Sequence, residues 1–294
     1  MPPQAATRQP QHRSTSALGV ASGAFGLCFF PLALCQLHFV LSHMCIAQKG
    51  KFSCEATTKH SGMTERHSVG AAEVAAVYDE VASVYDSMMQ EEMEKETYHE
   101  YLGHFAQLVS QNRHQQQRQC LVVDVACGSG NMLEALAPKL EKEQESRSKG
   151  SKSGNSFLGI DCSAEMVKLA AGRVEALGGR AVTGDMRQLE GLVEPASAAG
   201  MISFFGLHFV DVDELEATLE QWARVLCPGA PLLLGYWEGD GKRFFEPGLQ
   251  LTITNHNADH VTKLLHSAGF ATILHEKHIQ QPEGNTVHLI AIKQ

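Results

Sequence analysis

Between positions 71 and 90 the apolar residues Val74, Val77, Val81, Val84 and Met88 return at steps of three and four. That is the period of one helix face, so the ordered part of the chain is expected to open with an amphipathic helix. Downstream the pattern shortens. Cys120–Val125 is a compact β-rich run leading to Gly128-Ser129-Gly130, and a helical stretch over 131–140 follows. A second apolar run, 157–160, ends at Asp161; Ser163 is placed to cap the next helix and Gly178-Gly179 to stop it. Residues 181–183 read as a third strand closed by Gly184-Asp185, and 201–205 as a fourth. Leu215, Leu219, Trp222 and Leu226 mark one face of a helix that stops at Pro228-Gly229, before a fifth strand over 231–237. A helix over 259–267 and two extended runs, 270–279 and 286–292, complete the chain. Strands alternating with helices predict an α/β fold with a doubly wound, mostly parallel sheet and helices on both faces. The final hairpin is expected to add an antiparallel strand at one edge.

Two stretches fall outside this pattern. Residues 141–155 are polar and low in complexity, and read as a solvated loop. Residues 14–48 contain no Lys, Arg, Asp or Glu, and 17–35 are largely apolar, with Arg8 and Arg13 before them and a Ser-, Thr- and Lys-containing stretch, 49–67, behind. A basic start followed by an apolar run has the form of a secretory signal or anchor, and the polar stretch has the composition of a transit peptide. The expectation is a targeting, anchor or disordered segment over 1–70 and a folded domain over 71–294. Membrane contact is expected only through 17–47, and an organellar (plastid or mitochondrial) or secretory-route destination set by the N-terminal segment is expected, with a cytoplasmic one otherwise.

Charge narrows the partners. Residues 1–70 carry about +4, so the net charge of −9 leaves about −13 on the remainder. Such a body repels a phosphate backbone, and nucleic acid is not an expected partner. The eight cysteines form no C-x-x-C pair, and none of the fifteen histidines lies in an H-E-x-x-H array, so no metal site is expected.

The chemistry gathers at strand ends. A strand running into Gly128-x-Gly130 and then a helix aims backbone N–H groups and the positive helix end at a ligand. Asp124, inside that strand, is placed to accept a charge-assisted hydrogen bond from the ammonium of an amino-acid ligand. Asp161, at the end of the next strand, suits ribose hydroxyls. Asp185-Met186, after the third, offers an acid for an adenine amine beside an apolar face. Ammonium, ribose and adenine are together the polar handles of S-adenosylmethionine. A nicotinamide oxidoreductase fits less well, because the third fingerprint position is Leu133 and Asp124 and Asp185 would then lack a task.

These residues resemble the class I S-adenosylmethionine-dependent methyltransferases of the small-molecule type, which include quinone-biosynthesis enzymes. The matching segments are Tyr78-Asp-x-x-Ala-x-x-Tyr85-Asp, Asp124-x-Ala-Cys-Gly-Ser-Gly130, Gly159-Ile-Asp161-x-Ser-x-x-Met166, Gly184-Asp-Met186, Phe204-Phe-Gly-Leu-His208 and Arg224-Val-Leu-x-Pro-Gly229. The resemblance implies a seven-stranded sheet of order 3-2-1-4-5-7-6 with the site at the strands' carboxyl ends. It further implies that Tyr85 closes over the methionine end of the cofactor and that Met166 packs on the adenosine. The contact set it implies is Tyr85, Asp124, Ala126, Gly128, Gly130, Asp161, Cys162, Met166, Asp185, Met186 and Phe205. Ala126 and Ala230 stand where the family often has Gly. The 31 positions from Gly130 to Asp161 exceed the roughly 20 of a compact fingerprint, so 141–155 reads as including an insertion.

Methyl transfer from a sulfonium asks for in-line alignment and sometimes a base, and no metal. The acceptor pocket is expected from the first helix, residues 204–209 and residues 237–257, with Phe244 and Phe245 as a candidate lid. His208 is the leading candidate base because its ordinary pKa lies near neutrality; Tyr236 and Glu238 are weaker candidates. The acidic, compact body favours a small-molecule acceptor, without choosing between O, N, S and C attack or indicating an oligomeric state. The alternative is a cofactor-binding scaffold without catalysis.

Overall fold

The computed structural model describes residues 69–116, 120–147, 155–281 and 284–294. The targeting or anchor segment expected over 1–70 lies, up to residue 68, outside the described residues. Among the described residues no helix is long and apolar enough to cross a membrane.

The elements follow in the order α1 (Ala71–Glu92), α2 (Glu96–Gln116), β1 (Cys120–Val125), α3 (Asn131–Arg147), β2 (Asn155–Asp161), α4 (Ala164–Ala176), β3 (Arg180–Thr183), β4 (Ala198–Phe204), α5 (Val212–Val225), β5 (Pro231–Glu238), β6 (Arg243–Glu246), β7 (Leu251–Thr254), α6 (Ala258–Ser267), β8 (Phe270–Gln281) and β9 (Gly284–Lys293). Seven strands form one sheet in the order β3-β2-β1-β4-β5-β9-β8. This is the order the family resemblance implies, once the separate β6–β7 hairpin is counted in the chain numbering. Strands β1 to β5 pair in parallel, while β9 runs antiparallel to both β5 and β8. The antiparallel strand is therefore second from the edge rather than at it, because the final hairpin docks by its second strand.

Alternation along the central strands feeds two cores. Val123 and Val125 of β1 join Leu158, Ile160, Leu232 and Leu234 on one face, packed by Leu219 and Trp222 of α5 and Val261 and Leu265 of α6. Val122 joins Phe157 and Leu233 on the other, packed by Leu102, Phe105 and Val109 of α2 and Leu133 and Leu136 of α3. Strands covered on both faces read as nearly continuous apolar runs, as these do. Asp124 interrupts such a run at 1% exposure.

Three elements depart from the sequence reading. The 21-residue helix α2 fills a stretch where the apolar pattern predicts no element. Helix α3 continues to Arg147, so the expected loop begins later; Glu141-Lys-Glu-Gln-Glu-Ser-Arg is polar but made mostly of strong helix formers. The expected loop between β5 and α6 contains the antiparallel pair β6–β7. Its Leu251 and Ile253 pack with Val74, Val81 and Met88 of α1 in a third apolar cluster.

Candidate active site

The strand order reverses between β1 and β4, and the crevice at the carboxyl ends of the strands beside such a reversal is where ligands enter this class of sheet. The turn leaving β1 is built from left-handed residues: φ is 58° at Ala126, 52° at Gly128 and 85° at Gly130. A Cβ at Gly128 would come within 3.1 Å of the Tyr85 ring, and one at Gly130 within 3.2 Å of Ala170 Cβ. Gly128 thus lets a tyrosine of α1 lie on the turn, while Gly130 lets the turn pack on α4.

Two cavities meet here. The larger, about 650 Å³, is walled by Val74, Tyr78 and Tyr85 of α1, by Ala126 and Gly128, by Asp161, Cys162 and Met166, by Gly184, Asp185, Met186 and Arg187, and by Phe204, Phe205, Gly206 and Phe209. The smaller, about 390 Å³, is walled by Asp124, Cys127, Ser129, Asn131, Met132 and Met89. Tyr85, Ala126, Phe204 and Phe205 belong to both walls. The structure therefore brings together all the expected contact residues except Gly130, which is spent on helix packing. Asp124 faces the smaller cavity and the other nine the larger.

Each carboxylate sits differently. Both oxygens of Asp124 are buried without a hydrogen-bond partner. Burial, and secondarily the charge of Asp161, pushes its carboxyl well above the usual range. A buried acid left unpaired beside an open cavity complements a cationic amine, and in this respect the site fits S-adenosylmethionine. Asp161 accepts the Gly128 N–H at 2.8 Å on one oxygen and the Ser163 N–H at 2.9 Å on the other. Those two bonds tie the β1 turn to the end of β2; burial nevertheless raises the carboxyl above its ordinary value. Asp185 is chelated by Arg187, whose Nε and Nη2 donate at 3.0 and 2.8 Å. Arg187 reaches on to Glu214 and to the Val69 carbonyl, both at 3.1 Å. The sequence reading missed Arg187, whose only local signal is its position two residues beyond the acid. Trp222 Nε1 donates to the Met186 carbonyl at 2.8 Å and fixes the same loop from beneath.

The aromatic wall is equally ordered. Tyr78 meets Tyr85 and Phe209 edge-on, with ring centroids 5.7 Å apart in each case. Burial raises both phenols, so they stay protonated at neutral pH. Phe205 holds φ 56°, a conformation that costs a non-glycine residue about 1–2 kcal/mol and that persists here at the wall common to both cavities. Gly206 follows because a Cβ there would fall 2.6 Å from Ala126 Cβ.

His208 is not brought to either cavity wall. The short 3-10 turn Leu207–Phe209 folds it inward to 7% exposure, with its ring 4.0 Å from that of Phe209. Burial, aided by His256, pushes its imidazole down to about 3, far from the neutral value that recommended it as a base. Tyr236 is fully buried in the core and Glu238 lines neither cavity. Phe244 and Phe245 are exposed on β6 and absent from both walls. Among the described residues no group of three His, Cys, Asp or Glu is placed to hold a metal ion.

Comparison with known proteins agrees with this geometry. Residues 122–229 match the family model described as a methyltransferase domain. No curated protein matches the chain. Among solved structures, the chain is similar to a 1,6-didemethyltoxoflavin-N1-methyltransferase of Burkholderia thailandensis crystallised with 1,6-didemethyltoxoflavin and S-adenosylhomocysteine. Identity is 16%, coverage 83% of this chain and 98% of that one, and the TM-score 0.53, a likeness of fold. A Methanosarcina mazei S-adenosylmethionine-dependent methyltransferase is similar at 18% identity over 60% of this chain and 92% of that one, with a TM-score of 0.46. Magnesium protoporphyrin IX methyltransferase of Synechocystis, with bound S-adenosylmethionine, is similar at 20% identity over 65% and 80%, with a TM-score of 0.44. The strand order, the glycine turn flanked by Asp124 and Asp161, and the matched segment lead to one conclusion: residues 122–229 belong to a methyltransferase domain, on a sheet that has the fold of an S-adenosylhomocysteine-bound methyltransferase.

Proposed function

We propose that this enzyme methylates a small-molecule acceptor, with Asp124, Asp161 and Asp185 holding the ammonium, ribose and adenine of the cofactor in turn. The observation that carries the reading is Asp124: a carboxylate at 1% exposure with both oxygens unpartnered, facing a cavity of about 390 Å³. Leaving such a group unpaired costs on the order of 1–3 kcal/mol, a cost that a bound ammonium removes. When bound, the cofactor supplies an electrophilic methyl carbon on its sulfonium.

The chain's own residues do the rest. Asp161 keeps two of its acceptor sites on the Gly128 and Ser163 amides, and a carboxylate has others left for ribose hydroxyls. Arg187 fixes Asp185 in one orientation, and Met166 and Met186 give apolar walls for the adenosine. Tyr85, Ala126, Phe204 and Phe205 form the wall common to both cavities, where the acceptor approaches and water is excluded. Rings in that wall favour a sulfonium by cation–π attraction. His208 contributes as a buried neutral ring behind Phe209 rather than as the proton acceptor, so the acceptor nucleophile loses its proton to another group or to solvent.

An activity screen with labelled S-adenosylmethionine over quinols, amines, thiols and carboxylic acids tests the proposal. Transfer to one class supports it. Binding of the cofactor without transfer to any member of the panel, or transfer only to protein or nucleic acid, overturns it.

A further inference from the structure

Only half of the doubled Tyr-Asp motif of α1 is used by the cavities. Tyr78 and Tyr85 line the larger one, while Asp79 and Asp86, each one position further along, are engaged by other elements. A seven-residue spacing is close to two helical turns, so the two acids share a face. Asp79 accepts from Ser163 Oγ and, at 3.1 Å, from the Glu165 N–H at the start of α4. Asp86 accepts from Arg173 Nη2 at 3.0 Å and from Asn131 Nδ2 at 3.2 Å. Arg173 sits on α4, and its Nη1 donates to the Ser129 carbonyl at 3.0 Å. Asn131 Nδ2 also meets Ser129 Oγ at 2.7 Å. One guanidinium thus joins the tyrosine helix to the glycine turn, and Ser129 and Asn131 are themselves wall residues of the smaller cavity.

We propose that Asp86 and Arg173 are a positioning pair that couples α1 to the glycine turn, so that Tyr85 and the turn that receives the cofactor are set in place together. The inference rests on the cofactor site proposed above. Arg173 lines neither cavity, so it acts through Ser129 and Asp86. Its side chain is 17% exposed and that of Asp86 14%, which removes the pair from the weak class of solvated surface ion pairs. The planar fork is essential: Arg173 addresses Asp86, the Ser129 carbonyl and Glu134 at once, and a lysine ammonium presents no such fixed geometry.

The test is calorimetric titration of S-adenosylmethionine into the full chain carrying R173M, R173K or D86N, with melting temperature measured alongside. The expected result is cofactor binding about tenfold weaker in R173M, which loses the bonds to Asp86, the Ser129 carbonyl and Glu134 together, with R173K recovering only part. In a Y85A background the effect of R173M should shrink, because the residue it positions is gone. Two outcomes overturn the proposal: wild-type affinity in R173M and D86N, or a fall in melting temperature with affinity unchanged. If R173M does not fold, R173K and D86N carry the same comparison. Failure of the wild-type chain itself to bind the cofactor would instead remove the reading on which the pair depends.

Discussion

Substituting Asn for Asp124 separates stability from binding in one assay. Asp124 is buried, has no partner on either oxygen, and its carboxyl is pushed up by burial and by Asp161. Between the ordinary carboxyl value of about 3.9 and its raised native one, the folded state keeps a proton that the unfolded state releases. Stability therefore falls as pH rises through that window. Asn does not titrate and fills nearly the same volume. The amide is left without a partner too, but it cannot ionise, so at pH 8 the variant escapes the added cost of a buried charge, on the order of 2 kcal/mol, and a fold of this size gains about 2–4 °C per kcal/mol. D124N should melt about 4–8 °C higher than the wild type at pH 8 without ligand, with a smaller gain at pH 5. S-adenosylmethionine at a hundredfold excess over its Kd stabilises the wild type by about 2.7 kcal/mol, and that shift should vanish in D124N. Differential scanning fluorimetry at the two pH values, with and without the cofactor, reads all four quantities. A ligand-free melting temperature for D124N at or below wild type at pH 8, or a retained ligand shift, would refute the reasoning.

Other expectations follow from neighbouring contacts. G206A would place a Cβ 2.6 Å from Ala126 Cβ and should lower stability by about 1–3 kcal/mol; adding A126G, which also relieves the left-handed strain at that position, should restore most of the loss in denaturant melts. Burial pushes His208 down to about 3, so the unfolded state binds its proton first, and stability should fall by up to about 1.4 kcal/mol per pH unit as pH drops from about 6.5 toward 3. H208Q should flatten that part of the urea-midpoint profile and leave the pH dependence of kcat/KM between 5 and 8 unchanged. A rate inflection near neutrality that disappears in H208Q would return His208 to the mechanism. W222F removes the bond to the Met186 carbonyl and leaves space in the core where the fully buried indole packed, so it should cost about 2–3 kcal/mol in stability, with weaker adenosine binding by calorimetry; unchanged affinity would mean that the loop beneath the adenine needs no such anchor.

The parts of the fold readable in advance are those where residue chemistry is local. Glycines at 128 and 130 and acids at 124, 161 and 185 announce themselves because few residues tolerate left-handed turns or sit charged inside a strand. Helix α2 escaped because its core positions, Tyr101, Leu102, Phe105 and Val109, are interleaved with His, Gln and Asn, which dilute the apolar stripe. The β6–β7 hairpin escaped because its stability comes from packing on α1, a contact distant in sequence. Tertiary placement also decided His208: the 3-10 turn that buries it leaves no mark in composition. Arg187 was hidden for a similar reason, since its partners Glu214 and Val69 lie far along the chain.

Equilibrium binding of S-adenosylmethionine to the purified wild-type chain and to D124N and D161N is the most direct check on the claim that strand-end carboxylates hold the donor. The account predicts saturable one-to-one binding by the wild type, little or none by D124N, and a marked loss in D161N, which also weakens the grip of β2 on the Gly128 amide. No binding by the wild type, or full affinity in both variants, would contradict it.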